Sequence, residues 1–373
     1  MIELLGKYTS GKIFAKTIEQ EVTAQVLRVL NHPIFKDCKI RLMPDCHVGK
    51  GCTIGFTSTL PINGEIIPNI VGVDQSCTIS AYKIDGKDLD NYAKLDKVIR
   101  QYVPFGTGGK RKNVHKDIPE RLIDDVNKLC KDFLKSNPID DLLKIGSLGG
   151  GNHFISIEQG KTGTYLLIHS GSRNFGNNLA RYFQNIAINK NCYLSGIYKE
   201  LSYLDGKDAQ DYLVCADICK EYSKFNHIVM AKEIFEKMQW NYSEIIMTHH
   251  NYIDLDDQII RKGAIRLDQA QLGLIPINMA YGTYIVEGKG NFDWNNSGPH
   301  GAGRLFSRSQ AKSCLSMEEY KESMKDVYST CVSTKTLDES PMAYKPGEEI
   351  EELIKDTCLI VDHLVPKYNF KAE

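Results

Sequence analysis

The chain has 373 residues, 42% of them hydrophobic and 25% charged, with a formal net charge of −1. That is the composition of a globular protein, and so small a charge excludes a global basic field, so any polyanion site has to be local, built from a few placed Arg and Lys. No apolar run approaches membrane-spanning length, and Met1–Lys7 has no signal-peptide core, so no membrane contact and a cytoplasmic location are expected. The eleven cysteines fit that expectation, being scattered and without a Cys-x-x-Cys pair.

In chain order, Thr17 with Gln20 predicts a capping box, and Ile18, Val22, Val26 and Val29 then follow one helical face. A glycine-rich stretch spans Gly49 to Gly55. Ile70-Val71-Gly72-Val73 reads as a buried strand that stops at Asp74 and Cys77. Leu122, Val126, Leu129 and Phe133 predict a second helix with Pro119 in its first turn, and Gly146 to Gly151 a second glycine-rich stretch. Tyr165-Leu166-Leu167-Ile168 predicts a strand ending at His169. Ile228, Ala231, Phe235 and Met238 predict a third helix, and Ile245-Ile246-Met247-Thr248 a strand ending at His249 and His250. The alternation is not a regular βαβ, Gly149-Gly150-Gly151 lacks the dinucleotide-binding spacing, and no repeat or linker divides the chain. One α+β domain over residues 1–373, with packed β-sheets and peripheral helices, is therefore expected.

Strands that end in Asp, Cys and His look like posts holding a metal at one rim of a sheet. Asp74 and Cys77 stand three apart, and His153, His169 and the His249-His250 pair supply imidazoles. One thiolate, one carboxylate and three imidazoles suit zinc, manganese, iron or cobalt without choosing among them, and a bridging thiolate would let them serve two metals. In Pro44-Asp45-Cys46-His47, Asp45 or His47 could accept or orient a proton, whereas Cys46 and His47 would face opposite sides of a strand. Arg173 follows His169 closely, and Arg304 and Arg308 follow His300 on one face if that segment is helical. Arg261-Lys262-Gly263 adds positive charge, and Arg forks match phosphate oxygens. Gly301 and Gly303 beside His300 would let backbone amides approach a phosphate.

Met43-Pro44-Asp45-Cys46-His47-Val48-Gly49, Val71-Gly72-Val73-Asp74 with Cys77, Gly149-Gly150-Gly151-Asn152-His153-Phe154, His169-Ser170-Gly171-Ser172-Arg173, His249-His250-Asn251-Tyr252, Arg261-Lys262-Gly263-Ala264 and His300-Gly301-Ala302-Gly303-Arg304 occur in one order. From about residue 40 to the C-terminus this series resembles the RtcB family of tRNA-splicing and RNA-repair ligases. The resemblance implies joining of an RNA 3′-phosphate or 2′,3′-cyclic phosphate end to a 5′-hydroxyl end, with GTP, manganese and a guanylylated histidine.

Carried onto this sequence, the resemblance makes Cys77 a bridge between two manganese ions, Asp74 and His153 completing one and His169 and His250 the other. His250 rather than His249 is implied because it directly precedes the Asn. His300 becomes the nucleotidylated residue and Asp45 a residue needed for sealing. Asn152, Arg173, Lys262, Arg304 and Arg308 fall where phosphate or RNA ends are contacted. Tyr344 and Lys371 match a guanine-stacking Tyr and a terminal Lys on the base, and Gly301, Ala302, Gly303, Asn278 and Thr283 line the nucleotide site. The partner implied is RNA with broken ends, with a release-factor-like or activating protein a further possible partner.

The chain departs from the family pattern in places. Asp74-Gln75-Ser76-Cys77-Thr78-Ile79 stands for Asp-Ile-Gly-Cys-Gly-Met, and Pro276-Ile277-Asn278-Met279 for Pro-Gly-Ser-Met. Ser156 stands for a guanine-reading Glu, and Glu158 comes two positions late, one strand repeat too far to replace it. Weakened guanine selection is expected. A metal-dependent phosphatase or nuclease that does not need His300, and an RNA-end-binding protein that has lost ligation, are the competing readings.

Overall fold

Strands apolar at successive positions, and so buried on both faces, make the centre of this computed structural model, which describes residues 1–106 and 108–372. The strands are β1 (Ile2–Leu5), β2 (Ser10–Ile13), β3 (Ile40–His47), β4 (Ile54–Thr59), β5 (Thr78–Asp85), β6 (Phe154–Gln159), β7 (Thr164–Ser170), β8 (Asn241–His249), β9 (Asn251–Asp254), β10 (Ile259–Lys262), β11 (Ala264–Arg266), β12 (Leu272–Asn278), β13 (Gly282–Gly288), β14 (Ser297–Pro299) and β15 (Cys358–Lys371). They form a six-stranded sheet in the order β1-β2-β3-β4-β10-β9, a seven-stranded sheet in the order β12-β13-β15-β6-β7-β5-β8, and a β11-β14 ribbon. Around them lie α1 (Gln20–Leu30), α2 (Pro68–Val71), α3 (Tyr92–Tyr102), α4 (Glu120–Leu129), α5 (Pro138–Leu142), α6 (Arg173–Lys190), α7 (Gly206–Met238), α8 (Arg308–Cys314), α9 (Met317–Ser323) and α10 (Gly347–Leu353). This is the α+β arrangement of packed sheets and peripheral helices that the sequence predicts.

The seven-stranded sheet is buried on both faces. Tyr82, Ile155, Ile157, Leu166 and Ile168 pack on Ile99 of α3 and Met230 and Ile234 of α7. Ile79, Ala81, Tyr165 and Leu167 face the other way, against Leu274, Ile285 and Leu364. Burying each large apolar side chain contributes roughly 1.5–3 kcal/mol, so both faces hold the strands rigidly in register. The register also fixes what shares a face with His169: Phe154 pairs with it, while Ser156 pairs with Leu167 and Glu158 with Tyr165. The six-stranded sheet packs under α1, α4, α6 and α7 through Leu42, Phe56, Val26, Val126, Phe183 and Tyr212. No helix among the described residues is long and apolar enough to cross a membrane. Cys192 and Cys314 are exposed, and the other cysteines are buried and unpaired.

Three local expectations change. Ile70 and Val71 belong to α2, not to a strand, because Pro68 opens a helical turn there and Gly72 ends it with φ 95°. The Thr17–Gln20 capping box does not form: Gln20 is already the first residue of α1, and Glu19 stands at the N-cap without a side-chain cap bond. The segment from His300 to Ser307 is not helical, so Arg304 and Arg308 share no helical face, and Arg308 instead begins α8.

Candidate active site

Antiparallel pairing brings four strand ends to one rim of the seven-stranded sheet. Cys77 precedes β5, His153 precedes β6, His169 is in the last turn of pleat of β7, and His250 follows β8. Cys77 Sγ lies 3.3 Å from His169 Nε2 and 3.6 Å from His153 Nε2, and His169 Nε2 lies 3.3 Å from His250 Nε2. Cys77, His169 and His250 offer ligand atoms that all fall within 4.8 Å of one another. Ligand atoms about 2.0–2.3 Å from one tetrahedral metal stand roughly 3.3–3.7 Å apart, so the trio has the spacing of a cation site. Its protonation agrees. Burial drives His153, His169 and His250 well below the usual imidazole range, leaving them neutral and able to donate lone pairs. Burial and then Asp74 push the Cys77 thiol up, and a coordinated cation is what reverses that.

His153 donates Nδ1–H to the Leu148 carbonyl at 2.9 Å, the backbone bond that aims Nε2 at Cys77. With that tautomer, the 3.2 Å approach of Arg173 Nη1 to His153 Nδ1 is a close contact rather than a hydrogen bond. His249 turns away, its Nδ1 2.7 Å from Thr78 Oγ1. Asp74 stands outside the trio, on a turn closed by Cys77 N–H donating to its carbonyl, and lines both of the cavities described below. Burial raises its carboxyl against the pull of Arg173, Arg308 and Lys262. Ser76, at a position where the family pattern has glycine, holds φ 53°, and Gln75 reaches Tyr212 of α7 at 2.7 Å.

His300 follows β14, and its ring centroid lies 5.1 Å from that of His250. Its Nδ1 is 2.6 Å from Oδ2 of Asp45, a fully buried residue of β3. Donation of Nδ1–H to this carboxylate leaves the lone pair on Nε2. Gly303 makes the approach possible: its φ is 77°, and a Cβ there would meet the Asp45 carbonyl oxygen at 2.5 Å. The glycine thus serves contact between two protein backbones, where the sequence suggested contact with a phosphate. His47 Nδ1 lies 2.9 Å from the Asp45 carbonyl, and burial lowers its pKa to about 4.

Two cavities, of about 940 and 720 Å³, meet at Asp74, Asn152, His300 and Arg308. The smaller is cationic, lined by Lys50, Arg173, Lys262, Arg308, Lys312 and Lys335. Lys262 is tethered by the carbonyls of Lys50 at 2.6 Å and Asn69 at 3.0 Å. The Arg173 guanidinium lies on Gly149, where a Cβ would stand 2.0 Å from it, and its Nε has no partner.

The larger cavity is lined by Gly301, Ala302, Gly303, Arg304, Asn278, Thr283, Tyr344 and Lys371. Arg304 donates to the carbonyls of Phe306 and Asp338 and lies over the Tyr344 ring at 5.1 Å. Asn278 Oδ1 accepts the backbone N–H groups of Ala280 and Tyr281, at 3.0 and 2.8 Å.

Glu158 reaches the site although it stands two residues past Ser156. It shares the cavity face with His169, as the pleat dictates, and its side chain reaches the larger cavity. Ser156 Oγ–H donates to Glu158 Oε1 at 2.8 Å, so Ser156 supports the carboxyl in place of supplying one. Glu158 Oε2, Thr283 Oγ1 and Asn369 Oδ1 are buried without partners. Burial lifts Glu158 to about 7, against the lowering effect of Ser156 and Thr283. Glu339, which also lines both cavities, was not singled out from the sequence; only its place just before Pro341-Met342-Ala343-Tyr344 signalled it.

A family model described as tRNA-splicing ligase RtcB matches residues 25–372. The chain is similar to RNA-splicing ligase RtcB of Escherichia coli K12, 32% identical over 390 residues that cover 92% of each chain. It is also similar to tRNA-splicing ligase RtcB of Methanococcus maripaludis, 24% identical over 439 residues, 94% of this chain and 91% of that one. RNA-splicing ligase RtcB2 of another Escherichia coli strain is 24% identical over 355 residues, 87% of this chain and 83% of its own. The family match begins inside α1, ahead of the residue-40 start of the motif series, and runs past Lys371, taking in every strand end that the site gathers. The chain belongs to the RtcB family.

Proposed function

We propose that this chain is an RNA ligase that joins a 3′-phosphate or 2′,3′-cyclic phosphate end to a 5′-hydroxyl end, using GTP and manganese, in tRNA splicing or RNA repair. Residues 1–373 act in this reading as one ligase domain. The observation that carries it is the Asp45–His300 pair, 2.6 Å across, set beside the Cys77 cluster. A phosphatase or nuclease would use the same metals and arginines without carrying a covalent nucleotide on His300, and that adduct separates the two readings.

Asp45 holds Nδ1–H of His300, so that Nε2 attacks the α-phosphorus of GTP. A P–N bond forms, and the bond to pyrophosphate breaks. An oxygen of the RNA 3′-phosphate then attacks the same phosphorus and frees His300. Attack of the 5′-hydroxyl on the activated 3′-phosphorus makes the phosphodiester and releases GMP. Cys77, His153, His169 and His250, with Asp74, would hold the manganese, which supplies charge neutralisation for the phosphates and the leaving group. The Cys77 thiolate, with His153 Nε2 at 3.6 Å and His169 Nε2 at 3.3 Å, would serve both sets of imidazoles if two ions were held there. Arg173, Lys262 and Arg308 favour the RNA end, from the cationic wall of the smaller cavity. Asn152, at the junction of the cavities, and Arg304 belong to the phosphate path.

At the base, Glu158 takes the acceptor role expected of position 156. Its carboxylate, from a residue that lines the same cavity as Lys371 and Tyr344, would accept from the Watson–Crick edge of guanine. The test is ligation of a 3′-phosphate RNA to a 5′-hydroxyl RNA with GTP and manganese. Wild type should join them and His300→Ala should not; joining by His300→Ala would overturn the proposal.

A further inference from the structure

Glu339 is 2% exposed and ties together four segments of the chain. Its Oε1 accepts from Arg308 Nη1 at 2.5 Å and from Arg304 Nη1 at 3.4 Å. Its Oε2 accepts from the Tyr344 hydroxyl at 2.6 Å and from Lys371 Nζ at 3.0 Å. The donors come from the loop after β14, the start of α8, the loop before α10 and the end of β15. A carboxylate has about four lone-pair directions, and here each has a donor. Burial by itself would raise this carboxyl; Lys371, Arg308, the Tyr344 hydroxyl and Arg304 reverse that and hold it at about 2. Lys371, 4% exposed, has Glu339 as its anionic partner, whereas Arg308, half-exposed, also pairs with Asp338 at 2.8 Å. All four donors line the larger cavity, and Arg308 stands where it meets the smaller one.

We propose that Glu339 is the positioning residue of the nucleotide side of the site: its charge sets how Tyr344 and Lys371 face the larger cavity and holds Arg308 at the junction of the two. The inference rests on the reading of the larger cavity as the GTP site. Because its acceptors are filled by protein donors, Glu339 acts through these groups and not by touching the nucleotide. A carboxamide of the same shape would keep the packing but turn an N–H toward donors that need an acceptor.

The experiment uses full-length Glu339→Gln loaded with manganese, with equilibrium binding of GTP and the rate of covalent nucleotide transfer to the protein measured side by side. The Kd for GTP should rise at least tenfold, while the transfer rate at saturating GTP stays within threefold and the metal content is unchanged. Lys371→Met should weaken GTP binding by itself, and the Glu339→Gln/Lys371→Met double variant should be no weaker than the weaker single, since removing both partners strands no charge. An unchanged Kd, a fall in the transfer rate alone, or fully additive effects would overturn the proposal. If Glu339→Gln does not fold, Tyr344→Phe replaces it: it removes one donor without disturbing the charge balance and should raise the Kd at least threefold, and no change would overturn the proposal. Wild type that binds no GTP would overturn the reading of the cavity and this proposal with it; wild-type binding that Glu339→Gln leaves unaltered would overturn this proposal alone.

Discussion

Asp45 Oδ2 and His300 Nδ1, 2.6 Å apart, fix one imidazole tautomer in a pair that is 255 residues apart in the chain. Asp45→Asn keeps the shape but lets the amide N–H face the ring, which then turns or shifts its proton to Nε2. Transfer of nucleotide to the protein should fall by about 10²–10⁴-fold, by analogy with the tautomer loss in a serine-protease triad, with the thermal midpoint little changed. A loss of less than threefold, measured with a labelled nucleotide, would remove Asp45 from the account. Glu158 gives a pH signature. With its carboxyl lifted to about 7, its contribution to stability is present below the unfolded value and fades as pH rises through about 7. Ionisation has the opposite effect on base reading, because guanine needs an ionised acceptor. Between pH 6 and 8 the ionised fraction rises about tenfold, and the GTP-over-ATP preference should rise with it. Ser156 hydrogen-bonds Glu158, while Thr283, Asn369 and Lys371 line that cavity with it, and of these four only Lys371 carries charge. The pH dependence should vanish in Glu158→Gln; its persistence there would move base reading to another group.

At the scale of elements, the site depends on ends rather than middles of strands. Apolar runs that stop at His169 and His249-His250 revealed two of the posts from sequence, because alternate residues of a strand face alternate sides and burial demands a continuous apolar run. The run at Ile70 was too short for the same logic: four apolar residues fit a strand or a helical turn equally, and Pro68 decided for the turn. Arg304 and Arg308 share no helical face for a related reason, since spacing alone cannot reveal that the backbone after His300 is pinned against β3. Gly303→Ala tests that pinning. A Cβ 2.5 Å from the Asp45 carbonyl oxygen, at φ 77°, forces the two backbones apart. The variant should lose roughly 1–3 kcal/mol of stability, and His300 should lose nucleotide transfer while metal binding at Cys77 persists. Normal transfer by Gly303→Ala would show that the loop does not need this contact.

For the molecule as a whole, three sheets converge on one place: the rim of the seven-stranded sheet supplies Cys77 and the histidines, β3 of the six-stranded sheet supplies Asp45, and the β11-β14 ribbon delivers His300. The fold class, and the candidate residues that the structure gathers at the rim, were legible in the sequence, because each such residue brings its own local pattern. Pairings across sheets were not. Nothing near Glu339 announces Lys371 or Arg308, and Glu158 could be judged only once its strand register and the cavity wall were known. The shared rim also predicts how metal loss behaves. Cys77→Ala removes the Sγ that approaches both His153 and His169, so metal content should drop at the whole cluster together, and two retained ions would refute a bridging thiolate. The central claim is that His300 carries the nucleotide. It is tested most directly by incubating the protein with α-labelled GTP and manganese, followed by denaturing electrophoresis and acid or alkali treatment of the labelled band. A label that survives alkali, is released by acid and is absent from His300→Ala is predicted; the same label on His300→Ala would contradict the account.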